Sequence, residues 1–64
     1  FIIETPKYVY IFEYKLNRPA AEAIEQIERK GYAREYATDS RPVYRIGCTF
    51  STETGTVSDW VCES

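Results

Sequence analysis

The segment Tyr8 to Lys15 restricts the fold most, because it is an unbroken run in which every residue suits a pleated surface. Alternation places Tyr8, Tyr10, Phe12 and Tyr14 on one face and Val9, Ile11, Glu13 and Lys15 on the other. Both faces are mostly apolar, so both are expected to be covered. That pattern fits an interior strand of an α/β sheet better than an edge strand of a sandwich. An aromatic stripe on an interior strand reads as core before it reads as a stacking platform for bases. At the C-terminal end of the run the aliphatic face turns charged, at Glu13 and Lys15.

The flanking sequence supplies the neighbours of such a strand. Phe1 to Glu4 is a short apolar strand, and Thr5-Pro6-Lys7 is a turn, since Pro fixes one dihedral and removes a donor. After Leu16, Asn17 or Arg18 precedes Pro19 at the start of a helix in which Ala20, Ala23, Ile24 and Ile27 recur at helical spacing. Glu22 and Glu25 lie early and Arg29 and Lys30 late, an order that complements the helix dipole, and Glu25 with Arg29 makes an i, i+4 pair. Gly31 is a natural C-terminal cap, so the helix should end at Lys30 or just after. Tyr32 to Tyr36 reads as one more short turn and Thr38 to Pro42 as a loop. A third strand runs from Val43 to Phe50, with Tyr44, Ile46, Cys48 and Phe50 expected on its apolar side and Arg45, Gly47 and Thr49 opposite. A polar turn, Ser51 to Gly55, leads into a last strand from about Thr56 to Cys62.

Composition limits what this arrangement can be. With 64 residues the chain forms at most one domain. Folding hides only about 60% of the surface exposed by an unfolded chain of this size, so stability should be marginal. An aromatic content of 16% still supplies a core. The formal net charge of −2 and pI near 5.0 exclude the overall electrostatic footprint of a general nucleic-acid binder. Lys and Arg residues are scattered among acids, as on a solvated surface. No apolar run approaches a membrane span and no signal pattern opens the chain, so a cytoplasmic location is expected. Cys48 and Cys62 lack metal-site spacing and there is no His, which favours free thiols. The register of the last strand leaves open whether Cys62 lies opposite Cys48 or nearer Arg45.

Glu13 and Lys15 are the candidate chemistry. Two apart on a strand, they leave the same face at a C-terminal strand end, where ligands of open α/β sheets tend to bind. A carboxylate there can hold a hard cation such as magnesium, and an ammonium beside it can orient water or neutralise charge on a phosphoryl group. One carboxylate rarely suffices, so a second acid is needed. The plainer account is a solvated ion pair contributing about 0 to 1 kcal/mol.

The continuous string Phe1 to Leu16 with its Glu13-Tyr14-Lys15 triplet, then Gln26-Ile27 and Lys30-Gly31-Tyr32-Ala33, resembles the PD-(D/E)XK nuclease superfamily. It looks in particular like the C-terminal nuclease-like domain of bacterial proteins with an AAA-ATPase-like N-terminal region. Gly47-Cys48-Thr49-Phe50-Ser51 and Glu53-Thr54 extend the resemblance over nearly the whole chain. The resemblance implies a restriction-endonuclease-like core. It also implies Glu13 as a magnesium-binding carboxylate, Lys15 as the cation near a scissile phosphate, and Gln26 as a helix-borne contact to substrate or metal-bound water. Gln26 also reads simply as a polar residue flanking an amphipathic helix. The family's first acid should lie just before the strand that begins at Phe1, and Glu4, at that strand's far end, is a poor substitute.

The resulting expectation is a β-β-α-β-β fragment of an α/β domain, residues 1–64, with a mixed sheet on one main helix and without the family's N-terminal helix, strand and first acid. Its parent is expected to act on nucleic acid with magnesium, and the fragment alone to be inactive. The competing expectation is a non-catalytic interaction module that docks a partner or self-associates through an exposed sheet edge.

Overall fold

In a computed structural model describing residues 1–64, the order of elements is β1 (Ile2–Glu4), β2 (Val9–Leu16), α1 (Ala20–Lys30), a 3-10 turn (Tyr32–Tyr36), β3 (Val43–Ser51) and β4 (Thr56–Glu63). They form one mixed four-stranded sheet in the order β1-β2-β3-β4, so the fold is α/β and β2 is an interior strand. β1 runs antiparallel to β2, β2 parallel to β3, and β3 antiparallel to β4. The parallel pair requires a crossover, and α1 with the 3-10 turn supplies it.

Helix α1 forms where the spacing places it. Ala20, Ala23, Ile24 and Ile27 are its buried residues, Glu22 lies in its first turn, and Arg29 and Lys30 lie in its last. Gly31 ends it at φ +72°, with its N–H donating to the carbonyls of Ile27 and Glu28, both at 3.1 Å. The N-cap is Pro19, which makes no side-chain cap. Glu25 and Arg29 do not pair; Glu22 instead reaches back to Arg18 at 2.9 Å.

The buried centre is small: Val9 and Ile11 of β2 against Ile24 and Ile27 of α1. Burying each such side chain contributes about 1.5–3 kcal/mol. Ile2, Val43 and Val61 close the sheet side of this cluster, and Tyr32, Ala33 and Tyr36 close its end. No helix is long and apolar enough to cross a membrane.

Two expectations are corrected here. Only one face of the sheet is covered, and on β3 it is the face carrying Arg45, Gly47 and Thr49, because these stand in register with Ile11, Glu13 and Lys15. The Tyr8, Tyr10, Phe12 and Tyr14 stripe therefore lies on the face away from α1 with Tyr44, Ile46 and Phe50, outside the core that β2 forms with the helix. The reason is how close α1 must come. A Cβ built on Gly47 would lie 2.5 Å from the Ala20 carbonyl oxygen and 2.9 Å from the Ala23 Cβ, so the helix backbone rests on the one β3 position that has no side chain.

Both cysteines are free, Cys48 buried and Cys62 exposed. Cys48 stands opposite Trp60 and Cys62 opposite Ile46, so the thiols lie on the same face but one pair apart. Burial raises the Cys48 thiol above its ordinary pKa.

Candidate functional site

The register of the sheet builds the site from β2 outward. Glu13 is paired with Gly47 and Lys15 with Thr49, and both are half-buried on the helix-covered face, beyond the buried pair Val9 and Ile11. The strand thus carries its greasy side chains under α1 and its charged ones to the C-terminal edge of that cover. The result is an open shelf with no enclosed pocket.

The end of β2 is held by its following loop. Asn17 adopts φ +56°, a left-handed conformation that Asn tolerates better than most residues. Its side chain is bonded twice to Thr52 in the β3–β4 turn: its amide nitrogen donates to the hydroxyl at 2.8 Å, and its oxygen accepts from the Thr52 N–H at 3.1 Å. The Asn17 N–H donates to the Phe50 carbonyl at 2.9 Å. The buried Thr49 hydroxyl donates to the Arg18 carbonyl, folding the chain over β3 just before α1 begins. Asn17, Thr49 and Thr52 thereby fix the backbone around Lys15. Sequence reasoning assigned Asn17 only to the helix start; its place in a short polar link before Pro19 was the available signal.

Gln26 sits on a flank of α1. Glu28 pairs with Arg45 on β3, and Gln26, two residues earlier, leaves the helix roughly 160° around from it. Along the helix it lies between the levels of Gly47, beneath Ala20 and Ala23, and Arg45, beneath Glu28. Those levels correspond on β2 to Glu13 and Ile11. The Gln26 Oε1 atom is buried and has no hydrogen-bond partner. A buried acceptor left unpaired costs about 1–3 kcal/mol. The three candidates therefore share one side of the sheet, Glu13 and Lys15 on the strand and Gln26 above it.

Glu4 is elsewhere. It pairs with Val9 at the opposite end of β2, and its carboxylate accepts from Arg41 at 2.9 Å. Arg41 also donates to Asp39 and to the Thr5 carbonyl, closing the β1–β2 turn against the loop before β3. Hydrogen bonds from Arg41 hold the Asp39 carboxyl down at about 2. This cluster is structural and contributes nothing to the shelf.

The pairing of β1 with β2 bears directly on a second acid. The Phe12 N–H donates to the Phe1 carbonyl at 2.8 Å, and the Phe1 nitrogen donates back to the Phe12 carbonyl at 3.3 Å. Ile2, opposite Ile11, faces the helix. Continuing that antiparallel ladder by one residue beyond Phe1 leads to the position opposite Glu13, on the helix-covered face. It would be a non-hydrogen-bonded pair, with Cα atoms about 4.5 Å apart and side chains close.

Oxygen donors of the kind magnesium takes are present in Glu13 and Gln26. No three of the chain's Cys, Asp or Glu side chains converge as a metal site, however, so the residues present make part of one at most.

Comparison with known proteins matches residues 1–60 to the sequence model of the PD-(D/E)XK nuclease superfamily. The chain is also 37% identical over 59 residues to an uncharacterized protein in the vnfD 5′ region of Azotobacter chroococcum mcd 1. That match takes in 89% of this chain and 11% of the relative, so the chain spans about a ninth of that protein's length. No solved structure matches.

Proposed function

Since the chain belongs to the PD-(D/E)XK nuclease superfamily, we propose that it forms the catalytic half of a magnesium-dependent nuclease domain in a longer protein and that the 64-residue chain alone is inactive. The observation that carries this reading is the shared shelf: Glu13 and Lys15 on one face at the end of an interior strand, with the position next to Phe1 falling opposite Glu13. An acid there would set two carboxylates side by side, which one strand alone does not provide.

Each residue then has a chemical task. Glu13 supplies a metal-facing oxygen. Lys15 directs its ammonium at a non-bridging oxygen of the scissile phosphate, where negative charge gathers during displacement. Gln26, with its unpaired Oε1, accepts a hydrogen bond from water and so orients it. Bound magnesium would add charge neutralisation and a more acidic water. Thr49 and the Asn17–Thr52 link keep the Lys15 backbone fixed without touching substrate.

The test is cleavage of DNA and RNA with magnesium by the parent protein, compared with its Glu13→Ala and Lys15→Ala variants. Each substitution is expected to lower the rate by on the order of 100-fold or more, with folding unchanged by circular dichroism. Undiminished cleavage in both variants would refute the site. Cleavage by the 64-residue chain alone would refute the requirement for a residue beside Phe1.

A further inference from the structure

Of the eight Lys and Arg side chains, only Lys15 and Arg18 stand at the end of the sheet where β2 and the parallel β3 both finish. Arg41 is taken up by Glu4 and Asp39, and Arg45 by Glu28 and Glu63. Lys7 lies in the β1–β2 turn, and Arg29, Lys30 and Arg34 lie in and after the last turn of α1, at the opposite end. Arg18 has no part in the proposed chemistry.

Its backbone is nevertheless fixed against the shelf. The Thr49 hydroxyl donates to the Arg18 carbonyl, and Thr49 is the residue paired with Lys15. Three residues apart, the Lys15 and Arg18 Cα atoms are at most about 11 Å from each other, so two long side chains starting there can reach neighbouring phosphates of one strand. The Arg18 side chain is 64% exposed, and its single ion-pair partner is Glu22, at 2.9 Å. Only Nη2 bonds that carboxylate, which leaves the rest of the donor fork free. An exposed i, i+4 pair is among the weakest of ion pairs, whereas a guanidinium can bond a phosphate through two parallel N–H groups.

The charge at this end makes individual cations matter. Glu13, Glu22, Glu53 and Asp59 lie there too, Glu53 in the β3–β4 turn and Asp59 opposite Thr49. No general positive field draws a polyanion in, so a nucleic acid strand must be held by single, placed contacts.

We propose that Arg18 is a substrate-binding residue that holds the phosphate flanking the scissile one, with Glu22 keeping the guanidinium in the free protein and releasing it when nucleic acid binds. Arg18 in this role depends on the proposed nuclease function and adds to it a second backbone contact, one that reads no base sequence.

The test uses the parent protein with fluorescein-labelled DNA and RNA oligonucleotides, calcium replacing magnesium so that binding is read apart from cleavage. Anisotropy titrations over about 50 to 200 mM salt give the affinity and its salt slope. Arg18→Ala is expected to weaken binding roughly tenfold and to reduce the magnitude of the slope of log K against log salt by about 1. Arg18→Lys should keep the slope and recover part of the affinity. Glu22→Gln should move the other way and tighten binding roughly two- to fivefold, because the guanidinium no longer has to leave a carboxylate. In cleavage with magnesium, the loss in Arg18→Ala should fall on KM more than on kcat. A pair that only braced the helix would lower stability in both variants and leave the salt slope alone. An unchanged slope in Arg18→Ala, or weaker binding in Glu22→Gln, overturns the proposal. Where Glu13→Ala and Lys15→Ala abolish cleavage while that slope stays unchanged, Arg18 alone is misassigned. Where the parent neither binds nor cleaves either oligonucleotide, the nuclease function falls and the role of Arg18 falls with it.

Discussion

Gly47→Ala measures how closely α1 rests on the sheet. The added Cβ would meet the Ala20 carbonyl oxygen at 2.5 Å, the Ala23 Cβ at 2.9 Å and Ile24 Cγ1 at 3.3 Å. The first of these is backbone, so no change of side-chain rotamer relieves it and the helix must lift. Overpacking of this kind costs about 1–3 kcal/mol. Against it stands the smaller entropy of the unfolded chain when Ala replaces Gly, about 0.4–1 kcal/mol. Gly47 does not need a left-handed conformation, so no backbone strain adds to the account. The net expectation is a loss of about 1–2 kcal/mol. For a chain of this length, whose whole stability is roughly 3–10 kcal/mol, that lowers Tm by about 4–15 °C. Urea denaturation followed by circular dichroism and Trp60 fluorescence, at one fixed protein concentration, measures it. A cycle with Ala23→Gly separates the contacts. Removing the Ala23 methyl relieves one clash, so the double variant should recover about 0.5–1 kcal/mol relative to the sum of the singles. Gly47→Ala as stable as the parent chain, or strict additivity in the cycle, would refute the close approach of α1 to β3.

Two further outcomes follow from the loops. The Asp39 carboxyl, held at about 2 by hydrogen bonds from Arg41, lies below its unfolded value near 3.9. A lowered folded pKa stabilises the fold above the unfolded value and loses that contribution as pH falls through the folded one. The ion pair's stabilisation should therefore be constant above about pH 5 and disappear between about pH 4 and 2. Denaturation midpoints across that range should show a shallower fall in Asp39→Asn. At Asn17, Gly keeps the left-handed backbone and removes only the two bonds to Thr52, costing about 1 kcal/mol. Ala there adds the left-handed penalty, so Asn17→Ala should be the less stable of the two by about 1 kcal/mol; equal midpoints would show that φ +56° carries no strain.

The elements were legible from residue order alone. The strand run, read as Tyr8 to Lys15 and formed over Val9–Leu16, the helix after Pro19 and its stop at Gly31 each follow from periodicity and from one residue's backbone freedom, which are local properties. Glu13 and Lys15 were legible for the same reason, because alternation on a strand puts them on one face wherever that strand lies. The ring stripe was misread because alternation separates two faces without saying which one is covered.

That choice belonged to the tertiary structure. Parallel pairing set Gly47 beside Glu13, and only there can the helix backbone descend onto β3. The helix consequently covers Val9 and Ile11 and leaves the Tyr8–Tyr14 stripe on the opposite face. The Phe1–Phe12 pairing likewise set the register of β1 along β2, across a separation in sequence that no local pattern spans. Sequence by itself determined which side chains travel together; contact distances between distant backbones determined what each group of them faces.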